Sequence, residues 1–177
     1  QGAPWQVVTA VASGYGFGMA TLVITYLAGV AAAVTAKRQL ARTIRGLGRS
    51  PQEIVRRAWD GEHFRVLQEH LLSVVPALHG VAEQHRAYPL ISYFKSSERE
   101  AADVPAVALL HDTLAILDAA DDDVRMPPLV IAPAYEAIDA YLAALPGTDA
   151  DPDELDAPPW PDVADLREEG VPVSHFE

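Results

Sequence analysis

Thirty-six positions without a charge, Gln1 to Ala36, precede the first charged residue, Lys37. A helix needs about 20 apolar residues to cross the hydrocarbon core of a bilayer, so this run predicts one membrane-spanning helix. Pro4 suits a first helical position and Trp5 an interfacial anchor. Trp5 to Thr35 is thirty-one residues, about 46 Å of helix, longer than a ~30 Å core, which predicts a tilted helix or one that extends into the headgroups. Leu40, Ile44 and Leu47 continue an apolar face beyond the span, and Gly46 and Gly48 are placed to stop it.

The polar–apolar pattern then changes to shorter helices. Ser50-Pro51-Gln52-Glu53 predicts a helix start, with Ser50 as cap, Pro51 at the first position and Glu53 closing a capping box. That helix should end near Trp59, before Asp60-Gly61. Phe64, Leu67, Leu71, Val74, Val75, Leu78 and Val81 recur every three or four positions and predict a helix from about Glu62 to Ala87, kinked at Pro76. Tyr88-Pro89 opens a short aromatic segment to Phe94. Asp103 can cap a helix through Leu117, with Val107, Leu110 and Leu114 on one face. Asp121-Asp122-Asp123 reads as a solvated loop. Pro127 to Leu145 carries Ile131, Tyr135, Ile138, Tyr141 and Leu142 at helical spacing, with Pro133 in its first two turns or at a break. No alternating strand pattern of useful length occurs. The expectation is an all-α chain in three parts: a transmembrane helix and its juxtamembrane extension over 1–48, a small helical cytosolic domain over 49–145, and an acidic, Pro-rich, disordered tail over 146–177.

Charge adds an orientation. The net charge is −12, yet Lys37 to Arg57 holds seven basic residues against the single acid Glu53, whereas residues 58–177 hold six basic and twenty-four acidic ones. Cytosolic flanks of spanning helices are enriched in Lys and Arg, which puts the N-terminal end outside and everything after Lys37 in the cytosol of a cell (inner) membrane. Lys37, Arg38, Arg42 and Arg45 are the expected contacts with anionic lipid headgroups. An acidic remainder argues against nucleic acid as a partner, because neutralising phosphate needs a basic face. There is no cysteine, which excludes disulfides, thiol nucleophiles and Cys-type zinc sites. The chain begins at Gln1, so a fragment or a processed product is expected. A signal peptide is not, since the uncharged start and the length of the apolar run do not fit one.

The span is two-faced. On a 100° wheel Gly14, Gly18, Thr21, Thr25, Gly29, Ala32 and Ala36 fall within an arc of about 80°. Val23, Leu27, Val30 and Val34 lie opposite. Lipid tails make no demand for a small face, so the stripe either packs against another helix or lines an aqueous path whose width the small residues preserve. Gly29, deep in the run, is the candidate hinge.

Several stretches together resemble a known family. Pro4-Trp5, Ser13-Gly14-Tyr15-Gly16-Phe17-Gly18, Val23-Ile24-Thr25-Tyr26-Leu27 and Thr35-Ala36-Lys37-Arg38 resemble the inner helix of bacterial potassium channels with two helices per pore unit. Gly46-Leu47-Gly48, Pro51-Gln52-Glu53-Ile54, Arg57-Ala58-Trp59-Asp60-Gly61 and Tyr88-Pro89-Leu90-Ile91-Ser92-Tyr93-Phe94 resemble the cytosolic extension of one bacterial subgroup. The likeness covers about residues 3–145. It implies a pore-lining helix in a homo-oligomer, a tetramer or pseudo-tetramer, with potassium as the permeant ion and no cofactor. It also implies a carbonyl-lined filter upstream. Gly14-Tyr15-Gly16 does not meet that need: Ala12-Ser13 precede it and an apolar helix runs on through Phe17.

Other chemistry is weakly represented. His63 and His70 are about 10 Å apart along a helix, too far for one ion. His111-Asp112, with Asp139 downstream, is a faint echo of helical metal-dependent phosphohydrolases. The other histidines, His79, His85 and His175, are expected at the surface or hydrogen-bonded. The acidic run at 121–123 lacks the loop spacing of an EF-hand, and no phosphate loop or nucleophile elbow follows a strand. No catalytic or metal-binding residue is assigned, and the chain is not expected to be an enzyme. The leading expectation is a subunit piece of a potassium or other cation channel, with helices that assemble or regulate it and with the filter missing. The alternative is a single-pass, membrane-anchored interaction protein, and a weaker one is a membrane-tethered hydrolase using His111 and Asp112.

Overall fold

Helix α1 runs unbroken from Ala3 to Leu47, so the apolar run and its amphipathic extension are one rod of 45 residues, about 67 Å long. The computed structural model describes residues 3–93, 102–146 and 163–173. Within them follow α2 (Pro51–Ala58), α3 (Arg65–Ala87), a 3-10 turn (Pro89–Tyr93), α4 (Asp103–Asp118), α5 (Pro128–Leu142) and α6 (Ala164–Glu168). No strand occurs among the described residues; an isolated bridge joins Ala120 to Val173. The all-α expectation holds, as does one long apolar helix followed by smaller ones. Phe94 and His175 lie outside the described residues.

The start of α2 shows how local chemistry sets an element. Ser50 is extended and its Oγ accepts from the Glu53 N–H at 3.1 Å, with Pro51 opening the helix. The Glu53 carboxylate does not close onto the N–H of Ser50, as a capping box would. It accepts from the N–H of Arg49 at 2.7 Å and pairs with Arg57 at 2.6 Å. That backbone bond is the first reason its carboxyl is held below the usual carboxylate range. Ser50→Ala removes one satisfied donor at the helix end and should lower stability by about 1 kcal/mol, read as a shift in denaturant midpoint. An unchanged midpoint would mean that the cap contributes nothing.

The domain core forms where α3 packs on α5 and where α4 packs on both α1 and α2. Leu40, Ala41 and Ile44 of α1 meet Leu67, Leu71, Val74, Leu78 and Val81 of α3, Val107, Leu110, Leu114 and Leu117 of α4, and Ile131, Ile138 and Tyr141 of α5 in one cluster. These are the periodic positions of the sequence, with Leu142 the exception on the outside. Helix α3 continues through Pro76 and α5 through Pro133. Gly48 is buried where α1 hands over to α2: a Cβ there would meet Ile54 Cγ1 at 2.7 Å, so the turn requires the missing side chain.

Part of the tail departs from the expected disorder. Residues 163–173 form α6 and a return segment whose Val163, Leu166, Val171 and Val173 are buried in the main core. Gly170 adopts φ +81° between them, a value glycine reaches without a Cβ penalty. The N–H of Asp121 donates to the Pro172 carbonyl at 3.1 Å, and Glu169 pairs with Arg56 of α2. Average composition predicted disorder here, but four apolar side chains at suitable spacing dock the segment.

Candidate functional site

Along α1 there are two environments. Side chains 4–28 are all exposed, twenty-five residues or about 37 Å of helix. That length matches a ~30 Å core with modest tilt better than the full apolar run does. From Gly29 onward the helix is covered on one side. Val30 and Ala33 are buried against Ile91 of the 3-10 turn, with Val34 and Tyr88 beside them. The domain therefore reaches up onto the last turns of the apolar run.

The small-residue face stays open. Nothing approaches within 4 Å of where a Cβ would stand on Gly14 or Gly18, and Thr21, Thr25 and Ala32 are exposed. The face that docks the domain, through Val30, Ala33, Lys37, Leu40 and Ile44, lies about 100° around the helix from that stripe. Thr21 and Thr25 donate their hydroxyls to the carbonyls of Phe17 and Thr21, each at 2.9 Å. With the proton directed along the helix, each hydroxyl oxygen presents lone pairs outward and acts as an acceptor, toward water or a cation. Ala36, at the lower end, is half-buried on the domain core.

Gly29, the expected hinge, sits in a regular stretch of α1 and has a steric reason to be glycine. A Cβ on it would lie 2.7 Å from Cζ and 2.9 Å from Cε1 of Tyr88. The Tyr88 ring packs in turn on Tyr26, with centroids 5.6 Å apart.

Lys37 does not reach lipid headgroups as expected. It is 8% exposed, and its Nζ pairs with Asp103 Oδ1 at 3.2 Å. Asp103 is the centre of a junction between four helices. Its Oδ2 accepts from the Tyr141 hydroxyl of α5 at 2.5 Å, and His85 Nε2 of α3 lies 3.8 Å from the same oxygen. His85 and Tyr141 meet edge to face at 5.8 Å. Burial alone would push the Asp103 carboxyl up; the nearby His85 imidazole, the hydrogen bond from Tyr141 and the charge of Lys37 outweigh it and bring the carboxyl to about 2. Burial and the bond to Asp103 push the Tyr141 hydroxyl up. Nor does Asp103 cap α4: Ala102 holds the cap position without a side-chain bond. The clue in the sequence is register, since Asp103, Val107, Leu110 and Leu114 share one helical face. Arg38 and Arg42 are exposed, and Arg45 is half-buried.

Other candidates are not assembled into a site. His111 Nδ1 lies 3.5 Å from its neighbour Asp112, and the His111 ring meets Tyr135 at 5.7 Å. Burial pushes the Tyr135 hydroxyl up to about 12, with Asp118 adding to it. Among the described residues no group of three or more His, Asp or Glu side chains could hold a metal ion.

No family model matches the chain, and no solved structure does. It is 31% identical over 173 residues to YdjJ of Bacillus subtilis (strain 168), described as an uncharacterized membrane protein. The alignment takes in 97% of this chain and 50% of the relative, so the chain spans about half the relative's length. Among the described residues one helix is long and apolar enough to cross a membrane, and the chain aligns almost end to end with part of a membrane protein; together they point to a membrane location.

Proposed function

We propose that the chain is the pore-lining helix and cytosolic regulatory domain of a cation channel subunit, potassium-selective by its resemblance. Four copies would turn the face of Gly14, Gly18, Thr21, Thr25 and Ala32 toward a common axis, where small residues keep the path wide and threonine oxygens face the ion. The observation that carries this reading is that α1 is one continuous rod. Its upper part is exposed with a small, acceptor-bearing face, and its lower part is clamped by the buried Lys37–Asp103 pair. A rigid helix held at its base transmits displacement of the domain to the face above. Gating is then a shift between two packings biased by contacts of the domain.

The same stripe suits close helix packing in a single-pass anchored protein whose domain binds a partner. The open surroundings of Gly14 and Gly18 serve either role, so currents decide. With the native sequence that precedes Gln1 restored, the protein in planar bilayers should carry potassium current well above sodium current. Inserted, folded protein that passes neither ion would overturn the channel reading in favour of the anchor. An outer apolar helix and a Thr-rich Gly-Tyr/Phe-Gly element in that upstream sequence would accompany the first outcome.

A further inference from the structure

Arg38, Arg42 and Arg45 fall within an arc of about 60° on α1, about 130° around the helix from the face that docks the domain, and Arg49 follows just past the helix's end. Arg42, Arg45, Gly46 and Arg49 line an open cavity of about 510 Å³. The nearest acid in sequence, Glu53, is bound by the Arg49 backbone N–H and the Arg57 guanidinium; its charge also reaches Arg49. Arg38, Arg45 and Arg49 form no ion pair among the described residues. Arg45 Nε is shut off from solvent and has no hydrogen-bond partner. A buried donor without a partner is costly, so the arrangement favours a ligand that would draw this guanidinium into the cavity and satisfy it.

Length along the helix defines what such a ligand is. Arg45 lies about 10 Å beyond Arg38 along α1, and Arg49 follows beyond the helix's end. A headgroup layer is only about 5–8 Å deep, so one simple lipid phosphate at the membrane surface cannot reach the lower pair. Guanidinium groups hold phosphate oxygens in fork-like pairs, and several in a row suit several phosphates in a row. We infer that the Arg42–Arg45–Arg49 cavity is a binding site for a group carrying two or more phosphates. The group is supplied either by a soluble polyphosphate or by a lipid whose headgroup carries further phosphates beyond the one at the membrane surface. Bound there, it would brace the segment joining the span to α2. The inference does not depend on ion conduction, and its readout is binding.

The test uses the full chain in phosphatidylcholine-containing micelles, with the thermal midpoint followed during titration. One arm adds sodium tripolyphosphate and the other replaces part of the phosphatidylcholine with phosphatidylinositol 4,5-bisphosphate. The expected result is a saturable rise of the midpoint in at least one arm, which also identifies the source, and a weaker response to orthophosphate. Arg45→Gln with Arg49→Gln should then need about tenfold more ligand or lose the effect. Glutamine keeps helix propensity at position 45, and the helical signal of the variant checks that it folds. Arg65→Gln with Arg86→Gln removes the same charge from exposed positions on α3 and should respond like the unaltered chain. No saturable rise in either arm would overturn the site, as would equal losses in both double variants.

Discussion

Asp103→Asn should lower the stability of the domain by about 3–5 kcal/mol, because it leaves the Lys37 ammonium buried with no charge to balance it. Lys37 is 8% exposed and Asp103 5% exposed, so water cannot compensate either group. The Tyr141 hydroxyl also loses an ionised acceptor at 2.5 Å. Chemical unfolding of the detergent-solubilised protein, followed by its helical signal, checks the figure. Lys37→Met combined with Asp103→Leu should recover most of the loss, since a buried ion pair replaced by apolar groups of similar size is often close to neutral. The pair also sets a pH dependence. The carboxyl is held at about 2 against an ordinary 3.8, so the folded state binds this proton more weakly than the unfolded state does. The stabilisation is complete above about pH 4 and fades as pH falls toward 2, with an amplitude of about 2 kcal/mol. Asp103→Asn should flatten that acid limb. A variant with the same midpoint and the same acid limb as the unaltered chain would remove the junction from the account of how α1 is held.

How far the sequence reveals this arrangement depends on the range of each interaction. Ser50, Pro51 and the periodic leucines of α3 and α4 were legible because capping and amphipathic periodicity act within four residues. The apolar run of α1 was legible for a similar reason, as composition over one helix. Lys37 was misread because a basic residue just past an apolar span ordinarily meets lipid, and only a carboxylate sixty-six positions away in the chain gives it another partner. Asp103 carried a visible clue in its register with Val107 and Leu110. A single acid at a helix start nevertheless reads first as a cap. Residues 163–173 were hidden by averaging, since the acids and prolines of the whole tail outweigh Val163, Leu166, Val171 and Val173. The stripe from Gly14 to Ala36 was legible as a pattern, whereas the contact at Gly29 was not, because its partner is Tyr88 on another element.

Gly29→Ala should displace Tyr88 and destabilise the contact between the 3-10 turn and α1 by about 1–3 kcal/mol, the usual range for overpacking. The added Cβ would stand 2.7 Å from Cζ of the ring, inside any tolerable contact distance, so the ring must shift and its packing on Tyr26 with it. Alanine is itself a better helix former than glycine by about 1 kcal/mol, so a net loss can arise only from the tertiary clash. Tyr88→Ala supplies the control: in that background Gly29→Ala should become neutral or slightly stabilising, a sign reversal measurable in the same unfolding experiment. Two roles of Gly29 then separate in the channel assay. If the glycine is there for the close approach of Tyr88, the double variant should gate like Tyr88→Ala alone. If it is a bending point, alanine should stiffen α1 and change open probability whichever residue stands at 88. Destabilisation by Gly29→Ala that Tyr88→Ala leaves untouched would show that the clash is not what the alanine meets.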